Sequence, residues 1–215
     1  MSPRRARAVR GRVGDDPATA LREHLIDTAE KLLGERQVST ITTRDIARSA
    51  GVSDGVLYNY FGAKHELLIA ALLRRYAGSV TRFDTNLPVA GSGTVEDNLI
   101  AYAQAAVDLV TETLPTVAGL MSEPPLLHRF IEEIHRQPLG PNRIHQPIAD
   151  YLTAEQKLGR LGAFDVESAT MLIMGPTIMM GFTALVAGAS REALADQIPG
   201  IIRTLLAGIQ VQPSG

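Results

Sequence analysis

Cysteine is absent from the 215-residue chain, which excludes disulfides, thiolate metal sites and cysteine nucleophiles. Sustained alternation of apolar and polar residues enriched in Val, Ile, Thr and aromatics is also missing, so strands are not expected. There is no glycine-rich phosphate loop and no catalytic constellation, which argues against an enzyme and gives no reason to expect a cofactor. Charged residues make up 20% against 45% apolar, a globular rather than a disordered balance.

The net charge of −2 is unevenly placed. Residues 1–76 hold 13 Lys and Arg against 9 Asp and Glu, and the rest holds 8 against 14, so the two parts carry +4 and −6. A basic head on an acidic body suits a phosphate-binding module joined to one that does not touch nucleic acid. Arginines at 4, 5, 7, 10 and 12 have no apolar stretch behind them, which argues against a secretory signal and for a cytoplasmic location. Residues 1–17 read as a basic, flexible arm, suited either to a DNA groove or to solvent.

Ser168 to Ser190 runs 23 residues without a charge, long enough to cross a bilayer. Pro176, glycines at 175, 181 and 188, and the lack of a one-sided Lys/Arg flank favour instead a helix buried in a helical assembly, with no membrane partner.

Periodicity near 3.6 recurs along the chain, so the expected fold is all-α. Leu21, Leu25, Ala29, Leu32 and Leu33 mark a first helix. Thr42 or Thr43 caps a second reaching Ala50, Gly51 makes the turn, and Ser53 caps a third running to about Phe61. A long fourth helix covers about Lys64 to Phe83, and residues 86–93, NLPVAGSG, are loop by composition. Thr94 with Asp97 opens a helix reaching about Thr113. Pro115, Pro124, Pro125, Pro138 and Pro141 then cut the middle into shorter helices. Helices near 142–158, 165–188 and 190–209 complete the chain, with Asp165 and Ser190 as caps.

The informative segment is Thr42 to Phe61, TTRDIARSAGVSDGVLYNYF. Two short helices joined at Gly51 and locked by Ile46, Ala47, Val52, Leu57 and Phe61 have the physics of a helix-turn-helix. With Leu57 and Phe61 inward, Gly55, Val56 and Asn59 point outward, and Tyr58 and Tyr60 flank them. That set suits a major groove: Asn pairs with adenine, Val meets a thymine methyl, Gly admits the backbone, and Tyr hydroxyls reach phosphates. Thr42, Thr43 and Arg44 open the second helix, where free amides favour a phosphate, and Lys64 stands equivalently at the fourth. The same stretch spells G-x-S-x-G at Gly51 to Gly55, but the helical period upstream makes Ser53 an N-cap rather than a hydrolase nucleophile. His65-Glu66 lacks a second histidine at position 69 for a zinc site. His128, Glu132 and His135 read as the solvated side of an amphipathic helix rather than a metal site.

In order and spacing, T-T-R, I-A, A-G-V-S, G-V-L-Y-x-Y-F and the following Lys64 resemble the signature of the TetR family of transcriptional regulators, over about Ala18 to Tyr76. The chain departs from it at Val56, where the family often has Thr or Ser, and at Ala63, where Ser or Asn often caps the fourth helix. The resemblance implies that Thr43, Gly55, Val56, Tyr58, Asn59, Tyr60 and Lys64 line operator DNA. It further implies a DNA-binding domain over 18–76 and a helical domain over 77–215 that dimerises and senses a small molecule. The expected function is that of a repressor released from a palindromic operator, the competitor being a small helical enzyme using the C-terminal cavity. A mostly apolar effector is expected against Tyr76, Tyr102, Met121, Phe130, Met171 and Met174, since methionines and aromatics make adaptable walls. A homodimer is expected through the last two helices. Gly181, Ala184 and Gly188 would allow close approach there, beside the apolar Ile202, Leu205 and Leu206.

Overall fold

The computed structural model describes residues 16–209 apart from 86, 138 and 141. The expected basic arm therefore lies, but for Asp16 and Pro17, outside the described residues. Among the described residues there is no strand: ten α-helices and one 3-10 turn make up the fold, which begins with a three-helix helix-turn-helix module. The described residues up to Tyr76 group with Ala118–Ile134, and Ala77–Val117 groups with the described residues from His135 onward.

In the first group, α1 (Pro17–Glu35) starts on a proline, whose missing N–H is no loss in a first turn, and buries Leu25, Ile26, Ala29 and Leu32. A 3-10 turn (Val38–Thr40) leads to α2 (Thr43–Ala50), α3 (Asp54–Tyr60) and α4 (Lys64–Thr85). Ile41, Ile46, Leu57, Leu67 and Leu68 are fully buried. Each such side chain stabilises the fold by about 1.5–3 kcal/mol. His24 Nε2 of α1 lies 3.1 Å from the carbonyl of Ala50, where α2 ends. Arg74 of α4 reaches back to three carboxylates of α1, at 3.2 Å from Glu23, 2.5 Å from Asp27 and 2.9 Å from Glu30.

The helix from Thr94 is longer than expected: α5 (Val95–Leu120) runs through Pro115. A proline inside a helix costs about 3 kcal/mol. Burial of Leu109 before it and Leu120 after it offsets that cost. Pro124 and Pro125 open α6 (Pro124–Arg136) rather than breaking a helix. Next come α7 (Asn142–Lys157) and α8 (Val166–Ala187), the second capped by Asp165 and closed by Gly188 at φ 65°. The single helix expected over 190–209 is two, α9 (Arg191–Ala195) and α10 (Ile198–Ile209). Pro199 explains the split, since its ring fits a first turn but not the interior of a continuous helix. By length and composition α8 could cross a bilayer; its inward side is built from Ala169, Thr170, Ile173, Met174, Thr177, Met180 and Gly181.

Candidate nucleic-acid interface

The start of α2 is fixed by a reciprocal cap. Thr42 Oγ1 accepts from the Asp45 amide at 3.1 Å, and the Thr42 amide donates to Asp45 Oδ2 at 3.0 Å. The bonds from Thr42 hold the Asp45 carboxyl below its ordinary pKa range. Lys64 Nζ donates to the Ile41 carbonyl at 3.0 Å, so the ammonium stands next to the residues that begin α2. Positive charge and helix-terminal amides are thereby gathered at one edge.

Gly51 takes φ 70°, a left-handed conformation that suits glycine, and turns the chain into α3. Ser53 Oγ accepts from the Val56 amide at 3.4 Å, which fits the cap role rather than a nucleophile. Leu57 and Phe61 are buried, while Gly55, Tyr58 and Asn59 are exposed and Val56 and Tyr60 half-buried. Arg44 is exposed and Thr43 half-buried. The absent hydroxyl cap of α4 is compensated one residue early: Glu66 Oε2 accepts from the Gly62 amide at 2.9 Å. Glu66, three residues after Ala63, was the signal in the sequence for that replacement.

The family model for bacterial regulatory proteins of the tetR family matches residues 25–71. Over these residues, the helix-turn-helix segment, the chain is similar to the TetR family. The repressor NemR of Escherichia coli (strain K12) is 33% identical over 87 residues, 40% of this chain and 43% of NemR. The chain spans about half or less of the length of the curated relatives it matches. Among solved structures, a TetR-family regulator from Mesorhizobium loti shares the fold with a TM-score of 0.73, over 92% of this chain and 100% of that one, at 18% identity. FadR from Bacillus subtilis, in complex with stearoyl-CoA, does so with a TM-score of 0.60 over 87% and 99%, at 21% identity.

Outside the TetR segment, the side chains expected around an effector are divided between the two groups. Tyr76, Met121 and Phe130 fall in the first and Tyr102, Met171 and Met174 in the second. Met121 and Met171 are exposed, at 66% and 57%. Phe130 is core, edge-on to Tyr76 with ring centroids 6.1 Å apart. Tyr102 donates to the Pro88 carbonyl at 3.1 Å and lies against Tyr151, and Met174 is buried. A groove of about 700 Å³ opens elsewhere, between residues 79–83 of α4 and 101–112 of α5. Its walls include Arg82, Gln104, Asp108 and Glu112, and none of the six side chains expected around an effector lines it.

Of the residues expected at a dimer contact, Gly181, Ile202 and Leu206 are buried within the chain. Gly181 is buried against α5, where a Cβ would overlap Val110 Cγ1 and stand 3.3 Å from Val110 Cβ. Its smallness therefore serves packing within the chain. Ile202 and Leu206 are core, Ala184 and Leu205 half-buried, and Gly188 exposed as the cap of α8. The apolar side chains that α8 does expose lie on another face: Met171, Leu172, Ile178, Met179, Phe182 and Val186, each at least 52% exposed. They fall on one side of the helix, at spacings of three, four and seven residues.

Proposed function

We propose that the chain is a homodimeric transcriptional repressor that binds a palindromic operator through α2 and α3 and is released by a small molecule bound in its C-terminal part. The carrying observation is α3, a helix pinned by the buried Leu57 with Gly55, Tyr58 and Asn59 exposed. Gly55 supports the reading further. A Cβ there would meet nothing nearer than Ser53 Oγ at 3.9 Å, so packing does not call for glycine, whereas a backbone laid against bases does. Asn59 then reads a base, Val56 meets a methyl, and Tyr58, Tyr60, Thr43, Arg44 and Lys64 hold phosphates, with Thr42 and Ser53 keeping the two helix starts in position.

The exposed stripe of α8 supports self-association, since an apolar face this continuous is stable in water only when covered. A second copy supplies the cover and the two-fold axis that a palindrome requires. Release follows from α4, one helix from Lys64 beside α2 to Thr85 beyond the groove-lining Ser79 and Phe83. A 100-fold loss of DNA affinity takes about 2.7 kcal/mol of coupling, within the usual range, and operator must weaken the ligand equally. The protein acts in the cytoplasm as a regulator and not as an enzyme, in keeping with NemR, a repressor by name.

Footprinting of purified protein on the DNA flanking its own gene tests the reading. A protected palindrome is expected; protection without sequence preference across that region overturns it.

A further inference from the structure

The groove between α4 and α5 carries charges of both signs in a fixed order. Arg82 of α4 pairs with Glu112 of α5, and Arg191 of α9 pairs with Asp108 of α5. Asp108 and Glu112 are four residues apart on one helix, so the two pairs sit one turn apart, about 6 Å along α5. Between and beside them Phe83, Ala101 and Ala105 form apolar wall, and the alanines leave the space that a longer side chain would fill. The volume, about 700 Å³, is that of a small-molecule site.

We infer that this groove binds a linear zwitterion whose opposite charges are about one helical turn apart. The walls hold two guanidinium groups and two carboxylates, so a ligand of a single charge meets a like charge within one turn of the helix. A zwitterion can instead exchange partners, placing its carboxylate on a guanidinium and its ammonium on the acid of the neighbouring turn. The existing pairs permit that exchange. The side chains of Arg82 and Arg191 are 61% and 64% exposed and those of Glu112 and Asp108 40%, and ion pairs so exposed to water are weak. Arg82 meets both Glu112 and Ser79 through Nη2, and Arg191 meets Asp108 through its own Nη2. A guanidinium has five N–H donors, more than these contacts use. The bound molecule would join α5, through Glu112, to α9, through Arg191, and would free Arg82 of α4 from Glu112. This deepens the effector-release reading above and rests on it for its regulatory meaning.

Calorimetric titration of the intact protein with straight-chain ω-amino carboxylates of three to eight carbons tests the site. Binding is expected to peak near 5-aminopentanoate, and its N-acetyl and amide derivatives should bind about tenfold or more weakly. Glu112→Gln and Arg191→Gln should each weaken 5-aminopentanoate by about tenfold or more while leaving thermal unfolding unchanged, because both side chains are exposed. Absence of binding at about 10 mM, affinity independent of chain length, or unaltered affinity in both variants overturns the inference. A gel-shift titration with operator separates the two levels. Binding that depends on Glu112 and Arg191 but does not release DNA upholds the site and refutes release. Release that persists in both variants refutes the site and upholds release.

Discussion

Gly181→Ala puts a methyl group into the contact of α8 with α5, where it overlaps Val110 Cγ1 and lies 3.3 Å from Val110 Cβ and 3.6 Å from the Val110 carbonyl carbon. Valine in a helix is held to one strongly preferred rotamer, so Val110 cannot swing aside freely and the helices must part. Overpacking of this kind costs about 1–3 kcal/mol. Replacing glycine by alanine within a helix returns up to about 1 kcal/mol. The net expectation is a loss of about 1 kcal/mol, or roughly 2–4 °C in Tm for a chain of this size. Gly119→Ala is the control: nothing lies within 4 Å of a Cβ there, so it should be neutral or slightly stabilising. Thermal and urea unfolding at one protein concentration would measure both, with Val110→Ala added to close a double-mutant cycle. The cycle should show the two sites coupled favourably by about 1–2 kcal/mol, because the smaller residue at 110 makes room for the new methyl. If Gly181→Ala stabilises as much as Gly119→Ala and adds without coupling to Val110→Ala, the packing argument is wrong.

Leu57→Ala should cost about 2–5 kcal/mol in chemical unfolding, since Leu57 is fully buried beneath the exposed face of α3; a loss under about 1 kcal/mol would deny that the face is pinned there. Lys64→Ala should weaken binding to all DNA sequences alike and reduce the slope of log affinity against log salt by about 1, whereas a selective loss on one sequence would contradict a phosphate role. Phe182→Asp, on the exposed stripe of α8, should shift sedimentation toward monomer at micromolar protein while Gly181→Ala leaves the assembly intact; the opposite pattern would return the contact to the small-residue face.

The helix-turn-helix was legible because its rules are local. A hydroxyl before α2, a glycine at the turn, a serine before α3 and one apolar position per turn each act within a few residues, and Thr42, Gly51, Ser53 and Leu57 are found in those roles. Elsewhere the structure depends on burial and on partners that a local rule does not display. Pro115 marks a break unless burial on both sides of it is known, and Pro199 ends one helix and starts another within an otherwise apolar stretch. Gly181 reads equally well as a contact between copies or between helices of one chain, and only the approach of Val110 decides. The groove was hidden for a related reason: Arg82, Asp108, Glu112 and Arg191 are ordinary surface residues until three helices set them side by side.

The central claim, that α3 reads DNA sequence, is tested most directly by measuring the affinity of wild type and Asn59→Ala for the footprinted operator and for every single-base variant of one half-site. The account predicts that wild type discriminates at one position by about 1–3 kcal/mol and that Asn59→Ala loses this discrimination at that position alone. An Asn59→Ala protein with the same base preference at every position would contradict it.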